Sequence, residues 1–332
     1  MGGAAHGGSA GGAGVTSSAG STASGAGGNA GKSGTISGGS AGLEAGASGA
    51  GGSAMAGAGA ASDAGSAGAS SAGASGACST STGKALLFDG DAVDLVKSFC
   101  LEGAGTPDCS QPDPTITDLP IARASRTVEL WAWFSGPKAW RAEHSLFEYG
   151  KGQPCHVFGV DVEHYNDNDA ELDPYGNGCG ADNTLKLVPT VPEVGWLHIA
   201  WAYDGPSNTF QFTVNGIAQP IPSKMATDAW STTQSPLTIG AAAEFGLNGF
   251  DGKIDELRVW NLSRSVSDIA RDKNTILKGD EPGLVAYYHF DEGQGTQSAD
   301  ATGKPGHTAF MINDAKPKWV DSDIPGPFRC AP

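Results

Sequence analysis

The residue types that could do chemistry are concentrated in an acidic stretch near the middle of the chain. Calcium takes six to eight oxygen ligands at about 2.4 Å, from carboxylates, amides, backbone carbonyls and water, and an acidic loop can supply them. The stretch lacks the glycine and terminal glutamate of an EF-hand, and a solvated loop without metal is the alternative. We predict Asp167 and Asp169 as calcium ligands. The stretch consists of Asp161, Glu163, Asn166, Asp167, Asn168, Asp169, Glu171 and Asp173.

Four aromatic residues lie outside the clear predicted strands and could stack on a ligand. A planar ring covers the apolar face of a sugar as it covers any flat apolar surface. Packing of the same rings onto the core is the alternative. The predicted ligand-binding residues are Trp140, Tyr165, Tyr175 and Trp230.

Covalent catalysis has no support in the sequence. The chain has seven His, but no H-E-x-x-H metal motif and no identifiable Cys–His or Ser–His arrangement. His198 and His289 fall within predicted strands, where a packed or hydrogen-bonded role is expected. We therefore predict no catalytic residue.

The six cysteines are Cys78, Cys100, Cys109, Cys155, Cys179 and Cys330. They contain no C-x-x-C pair, so the spacing of zinc ribbons and thioredoxin-type redox sites is absent. Their even number favours disulfides and an oxidising compartment. We predict two local pairs, Cys100–Cys109 and Cys155–Cys179, and a pair Cys78–Cys330 that joins the ends of the domain. Six cysteines allow fifteen pairings, and six reduced thiols are the alternative.

Residues 1–80 have a composition that cannot form a core. They contain 26 Gly, 23 Ala and 16 Ser, and every aromatic residue of the chain follows them. Ordering such a segment costs conformational entropy that burial cannot offset, so we predict a disordered linker. Its end-to-end distance as a random coil would be roughly 50 Å. Residues 81–332 are then the folded domain.

The charge balance excludes some partners. The formal net charge is -16, and no cluster of Lys and Arg is present, which argues against nucleic-acid binding. No apolar run is long enough for a membrane-spanning helix. The first ten residues show neither a basic n-region nor an apolar h-region, so no signal peptide is visible. We expect the export signal upstream of Met1, and export by another route is the alternative.

The folded part has the pattern of an all-β sandwich. Short apolar runs are separated by Gly, Asn, Asp and Pro every 8 to 15 residues, which predicts about a dozen strands in two packed sheets. Residues 209–214 alternate apolar and polar side chains, and Asn215-Gly216 then predicts a type I′ hairpin turn. Ser265 and Asp268 form a capping box, which predicts one short surface helix over residues 265–271.

In their order along the chain, these segments resemble the bacterial laminin-G-like jelly-roll domain. That domain is a relative of pentraxins and of concanavalin A-like lectins and glucanases. The matching segments are Leu87–Gly90, Thr127–Trp131, Gly195–Ala200, Tyr203–Gly205, Val214–Gly216, Leu237–Gly240, Phe250–Asn261, Gly283–Gly293 and Asp300–Gly303. The resemblance implies a two-sheet antiparallel jelly roll.

The resemblance also implies possible sites. Residues 97–121 and 163–182 depart from the pattern as insertions, and we predict both as loops at the rim of the sandwich. Asp89 and Asp300 resemble carboxylates that jelly-roll relatives use for a structural calcium ion. Glucanase relatives carry two carboxylates on one strand, as Glu-x-Asp-x-Glu or Glu-x-Asp-x-x-Glu. That spacing is not found here, and a hydrolase would be rejected if no two carboxylates faced each other within about 10 Å.

We therefore predict an extracytoplasmic, tethered binding or adhesion module without catalytic activity. Its partner would be a glycan or a protein at the cell surface or matrix, and calcium is its possible cofactor. The alternatives are a carbohydrate-active hydrolase of the same superfamily and a structural surface protein without a specific ligand.

Overall fold

A computed structural model describes residues 83–91, 95–101, 107–135, 144–151, 155–166, 169–176, 194–220, 230–242, 249–312 and 317–332. The predicted linker, residues 1–80, and the predicted strand Thr184–Val188 lie outside these ranges. The prediction for the linker is therefore not tested by the structure.

The described residues form nineteen strands and one helix. The strands are β1 (Lys84–Asp89), β2 (Leu95–Ser98), β3 (Cys100–Leu101), β4 (Asp108–Pro112), β5 (Arg126–Phe134), β6 (His144–Gly150), β7 (Val157–Asn166), β8 (Asp169–Tyr175), β9 (Gly195–Asp204), β10 (Thr209–Val214), β11 (Ile217–Gln219), β12 (Leu237–Ile239), β13 (Asp251–Trp260), β14 (Thr275–Ile276), β15 (Leu284–Tyr288), β16 (Gln297–Ser298), β17 (Ala309–Ile312), β18 (Lys318–Asp321) and β19 (Arg329–Cys330). The helix is α1 (Val266–Asp272).

Two large antiparallel sheets form the domain. The eight-stranded sheet has the order β11-β10-β9-β5-β13-β1-β18, with β15 also paired to β13. The seven-stranded sheet has the order β16-β17-β2-β12-β6-β7-β8. One continuous apolar core contains residues of both sheets, because alternate side chains of each strand point to the same face. The predicted all-β jelly-roll sandwich is confirmed.

The local predictions for the hairpin and the helix are also confirmed. Asn215 and Gly216 have φ angles of 54° and 76°, as a type I′ turn requires. Ser265 is the N-cap of α1, and its hydroxyl accepts a hydrogen bond from Asp268 N. None of the described helical segments has the length and apolar character to cross a membrane.

The C-terminal segment covers part of the outer face of the eight-stranded sheet. Ile324 and Phe328 are buried against Trp131 and Trp196, and Trp196 Nε1 donates a hydrogen bond to Asp323 Oδ1 at 2.9 Å. Side chains of this face are therefore engaged in packing by the domain itself.

A buried ionic network on the same face surrounds Glu129, which is fully buried. Glu129 Oε1 accepts hydrogen bonds from Trp260 Nε1 at 2.9 Å and from Arg264 Nη1 at 2.8 Å. Arg258, also fully buried, has Nη1 3.8 Å from the same oxygen and a hydrogen bond to Glu256 Oε2 at 3.0 Å. Opposite charges are thus paired throughout this network.

A second ionic cluster joins the loop at residues 113–118 to residues 300–307. His307 Nε2 lies 3.1 Å from Asp118 Oδ1, and His307 Nδ1 lies 3.3 Å from Asp300 Oδ2. Burial opposes the charge of His307, but hydrogen bonds to both aspartates outweigh it and raise the pKa of His307 to about 9. Burial likewise opposes ionisation of Asp118, yet His307 and Lys304 lower its pKa to about 2.

Removal of the Glu129 carboxylate should destabilise the domain strongly. Glu129→Ala leaves two buried guanidinium groups short of negative charge, so we expect a loss of about 3–5 kcal/mol in the free energy of unfolding. Glu129→Gln keeps an acceptor oxygen and should lose less. Urea unfolding measures both variants at constant m value. Equal midpoints for Glu129→Ala and the wild type would contradict this account.

The His307 cluster should make stability depend on pH. Because the pKa of His307 is raised from 6.5 to about 9, its contribution is complete below about pH 6.5 and is lost as the pH rises through 9. It amounts to at most about 3 kcal/mol. The Asp118 contribution is present above about pH 4 and is lost as the pH falls towards 2.

Urea unfolding between pH 6 and 9.5 checks the alkaline side. His307→Gln should flatten the decline, whereas the control His156→Gln should leave it unchanged. An identical decline in wild type and His307→Gln would refute the assignment.

Candidate functional site

A row of side chains crosses the outer face of the seven-stranded sheet. Thr238 of β12 is the register partner of both Lys97 of β2 and Glu148 of β6. Glu148 is in turn opposite Gly159 of β7, and Gly159 is opposite Tyr175 of β8. One residue from each of five neighbouring strands therefore forms a single line.

The period-two alternation of the strands places these residues on the outer face. Their sequence neighbours are large apolar residues that enter the core, so the residues between them point the other way. These core neighbours are Val96, Phe147, Tyr149, Phe158, Leu237 and Ile239. Burial of the inner face thus fixes which residues lie on the outer face.

Tyr175 is held against the sheet by two contacts. Its hydroxyl donates a hydrogen bond to Glu148 Oε2 at 2.5 Å, and a Cβ on Gly159 would lie 2.7 Å from ring carbons of Tyr175. Only a residue without a side chain leaves room for the ring in this position. Burial, followed by the negative charges of Asp161 and Glu148, raises the pKa of Tyr175 well above its ordinary value. The phenol is therefore a neutral donor, and the half-buried ring is fixed in place.

Lys97 lies at the other end of the row, beside a cavity of about 200 Å³. Its Nζ donates a hydrogen bond to Cys109 O at 3.2 Å. Burial lowers the pKa of Lys97, and the negative charge of Glu148 opposes this effect. The cavity is lined by Lys97, Cys109, Ser110, Glu148, Tyr149, Gly150, Lys151, Ser235, Pro236 and Thr238.

The Cys100–Cys109 disulfide shapes one wall of this cavity, since Cys109 and Ser110 belong to β4. The predicted bond is present, with a Cα–Cα distance of 4.6 Å, and β3 pairs with β4 as a small hairpin. The insertion at residues 97–121 is therefore partly paired strand rather than only loop. Cys155 and Cys330 are also in disulfides, but Cys78 and Cys179 lie outside the described residues, so their pairings stay predictions.

The prediction of an acidic loop at residues 163–182 is wrong for its first part. Residues 157–166 and 169–175 form the paired strands β7 and β8, in which Asp161 is opposite Asp173 and Glu163 is opposite Glu171. The physical reason is an alternation of acidic and apolar residues, visible in Asp161-Val162-Glu163 and Glu171-Leu172-Asp173. Val162 and Leu172 are buried in the core, which places Asp161 and Asp173 on the outer face.

The structure places the predicted stacking residues in different environments. Trp230 is fully buried and packs against Trp201, with ring centroids 6.0 Å apart, so the prediction that it contacts ligand is wrong. Its large apolar ring contributes more when it is buried in the core than when it is exposed at the rim. Tyr175 lies on the candidate site. Trp140 is outside the described residues, and of Tyr165 only the backbone is described, so both stay predictions.

The predicted structural calcium ion between Asp89 and Asp300 does not fit the surroundings of Asp300. Asp300 accepts hydrogen bonds from Tyr287 N and Thr302 N and faces the cationic His307. Asp89 Oδ2 lies 3.7 Å from Lys318 Nζ, in a separate set of contacts. Protein donors and the cationic His307 thus surround the Asp300 carboxylate, where calcium would need further oxygen ligands.

The calcium prediction for the acidic stretch is not tested. Asp167 lies outside the described residues, and only the backbone of Asp169 is described. Within the ranges that the structure covers, no group of three or more His, Cys, Asp or Glu side chains could hold a metal ion.

The sequence analysis missed most of the row, namely Lys97, Thr238, Glu148 and Gly159. Each is a polar or small residue between apolar neighbours, and that alternation is the signal that could have identified its face. The strands that carry these residues are far apart in the sequence, however, so the pattern of each strand does not show that the residues lie side by side.

Comparison with known proteins supports the same architecture. Residues 111–270 match the family model Laminin_G_3, described as the concanavalin A-like lectin/glucanases superfamily. No curated protein matches the chain.

Several solved structures are similar to the chain. A Bacteroides ovatus ATCC 8483 protein assigned to carbohydrate binding has 18% identity and a TM-score of 0.49; the match covers 74% of this chain and 61% of that one. The CBM40 of Ruminococcus gnavus IT-sialidase has 14% identity and a TM-score of 0.36, with 55% and 95% covered. A SAP-like pentraxin from Limulus polyphemus has 12% identity and a TM-score of 0.33, with 57% and 81% covered.

The laminin-G-like resemblance seen in the sequence is confirmed by the family match over residues 111–270. Residues 111–270, which contribute strands to both antiparallel sheets, are thus similar to the concanavalin A-like lectin/glucanases superfamily.

Proposed function

We propose that this domain is a non-catalytic carbohydrate-binding module and that its ligand binds the outer face of the seven-stranded sheet. The observation that carries the proposal is the row from Lys97 to Tyr175 beside a cavity of about 200 Å³. A pocket of this size suits a small group such as one sugar ring rather than a drug-sized ligand, for which roughly 300–1,000 Å³ is usual.

The chemistry of the row suits a polyhydroxylated ligand. Tyr175 offers a fixed aromatic ring to the apolar face of a pyranose. Lys97 is half-buried and can donate hydrogen bonds to hydroxyl oxygens, while Glu148 and Thr238 are buried and line the cavity beside it. A sugar carries both apolar C–H faces and hydroxyl groups, and this row complements both.

We place the protein outside the cytoplasm, as a module displayed by its N-terminal linker. The Cys100–Cys109 disulfide, and the bonded state of Cys155 and Cys330, suit an oxidising compartment. A random-coil linker would provide a reach of roughly 50 Å. Calcium at Asp167 and Asp169 is part of the proposal, and a chelator arm in the binding assay tests it.

One observation favours a second candidate function, a glycoside hydrolase. Asp161 and Asp173 are directly opposite across β7 and β8, which brings their Cβ atoms within roughly 5 Å of each other. Glu148 lies on the neighbouring strand β6. Hydrolysis of a glycosidic bond uses two carboxyl groups about 5–10 Å apart. A hydrolase would be rejected if no two carboxylates faced each other within about 10 Å, and this pair does not meet that condition for rejection.

Loss of the Tyr175 ring should weaken glycan binding. Tyr175→Ala removes the stacking surface, and we expect a Kd at least about tenfold higher, equivalent to about 1.4 kcal/mol. A glycan array, run with and without chelator and followed by calorimetry, measures this change. Trp319→Ala is the matched control, because Trp319 is a half-buried aromatic residue of the eight-stranded sheet.

Gly159→Ala provides a second variant with an intact Tyr175. Its Cβ would displace the ring and should weaken binding in the same direction. An array without signal in both chelator arms would leave a protein partner or a structural role, and the proposal would fail.

The hydrolase alternative predicts a measurable product. On our proposal, the wild-type protein releases no more reducing ends from the polysaccharides it binds than Glu148→Gln does. Release by the wild type that Glu148→Gln abolishes would instead establish catalysis, because Gln cannot act as an acid, a base or a carboxylate nucleophile.

A further inference from the structure

We infer that the domain has a second ligand site, a cavity between residues 113–118 and residues 304–307, and that this site takes an uncharged polyhydroxylated ligand such as a sugar. The cavity has a volume of about 480 Å³, within the range of roughly 300–1,000 Å³ that is usual for small-molecule sites. None of its described lining residues lines the cavity beside Lys97. The inference goes beyond the proposed function, because this site is separate from the row that ends at Tyr175.

The walls of this second cavity are held in place by ionic contacts. The buried ring of His307 has Nε2 3.1 Å from Asp118 Oδ1 and Nδ1 3.3 Å from Asp300 Oδ2. Lys304 Nζ donates a hydrogen bond to the other oxygen of Asp118 at 2.9 Å. These contacts join the two chain segments that face each other across the cavity. A site with fixed walls loses little side-chain freedom when a ligand binds.

The cations of the cavity are engaged by oxygens of the domain itself. An ammonium group has three donors, and Lys304 Nζ uses them for Asp118 and for two backbone carbonyls, both at 3.1 Å. Both ring nitrogens of His307 likewise face aspartate oxygens. The described lining also contains two carboxylates and two cations, so their charges balance. An anionic ligand would have to displace these bonds, whereas an uncharged ligand leaves them intact.

The acceptors of the cavity can serve hydroxyl groups. Asp113 Oδ1 accepts hydrogen bonds from Thr115 N at 2.8 Å and from Thr115 Oγ1 at 2.7 Å, and these bonds lower the pKa of Asp113. The other oxygen, Oδ2, lies 3.9 Å from the position that a Cβ on Gly306 would take, so it faces the opposite wall. Thr117 is exposed and adds a hydroxyl that can donate or accept. A ligand rich in hydroxyl donors fits this set.

Apolar groups complete the cavity. Ile116 is buried, and Pro305 belongs to the opposite wall. Gly306 has a φ angle of 78°, and a Cβ there would lie 2.8 Å from Ile116 Cδ1, so a glycine is needed for the close approach of the two segments. A sugar presents apolar C–H groups as well as hydroxyls, and the cavity offers surface to both.

Asp113→Asn tests this site with little disturbance of the loop. The amide keeps an acceptor oxygen for the two bonds from Thr115 but replaces Oδ2 by a donor, so ligand hydroxyls lose their acceptor. We expect the Kd at this site to rise at least about tenfold. Asp108→Asn is the matched control, because Asp108 Oδ1 accepts the same two kinds of bond from Ser110, at 3.0 Å and 2.6 Å. Asp108 is not among the described lining residues of either cavity.

The measurement uses the full chain with Tyr175→Ala, which weakens the proposed site. A glycan array of neutral, amino and acidic sugars, followed by calorimetry, shows the binding that remains. We expect this variant to retain binding of neutral sugars, to lose it when Asp113→Asn is added, and to keep it when Asp108→Asn is added. If Tyr175→Ala does not fold, hydrogen exchange of the wild type replaces it, and a bound neutral sugar should then protect the amides of residues 113–118 and 304–307.

The outcomes separate this inference from the proposed function. Complete loss of binding in folded Tyr175→Ala, or residual binding that Asp113→Asn leaves unchanged, would overturn the second site while the proposed function stands. Residual binding of acidic sugars alone would overturn its ligand class. Binding that Asp113→Asn removes and Tyr175→Ala leaves unchanged would support the second site and contradict the site proposed at Tyr175. The absence of binding to any glycan would overturn both.

Discussion

Burial of one face of each sheet against the other is the constraint on which the site depends. Once the apolar residues at alternate positions of β2, β12, β6, β7 and β8 enter the core, the residues between them must lie on the opposite face. A register shift of one residue in β7 would turn Val160 and Val162 outwards and Asp161 inwards. The free energy of core burial therefore fixes the line of polar side chains, although no residue of that line belongs to the core.

The sequence predicted those parts of the structure that depend on local interactions. The φ angles required at Asn215-Gly216, the cap at Ser265 and the nine-residue separation of Cys100 and Cys109 are set within short segments. The site depends instead on the pairing of β12 with β2 and β6, segments separated by about 90 to 140 residues. The residue pattern of a single strand does not predict which strand pairs with it. The prediction that Trp230 contacts a ligand was wrong for a related reason, because the burial of Trp230 beside Trp201 depends on strands that are distant in the sequence.

Charged residues are arranged differently on the outer faces of the two sheets. On the eight-stranded sheet, Glu129 is surrounded by Arg258 and Arg264, and the buried charges are paired. On the seven-stranded sheet, Asp161 and Asp173 are paired with each other in the register. Paired opposite charges keep a buried network tolerable, whereas juxtaposed like charges cost stability. Pairing of opposite charges within the fold thus explains the first arrangement.

The attachment point of the N-terminal segment is compatible with a ligand on the seven-stranded sheet. Gly83 and Lys84 donate backbone hydrogen bonds to Asp291 Oδ1, each at 2.7 Å, and β1 is paired between β13 and β18 of the eight-stranded sheet. The preceding residues are thus joined to the sheet that does not carry the row from Lys97 to Tyr175. Since the outer faces of a two-sheet sandwich point in opposite directions, the row faces away from the sheet that contains β1. If Cys78 pairs with Cys330 as predicted, the bond would join the chain just before β1 to β19, which pairs with β14, and would add a covalent link at that end of the domain.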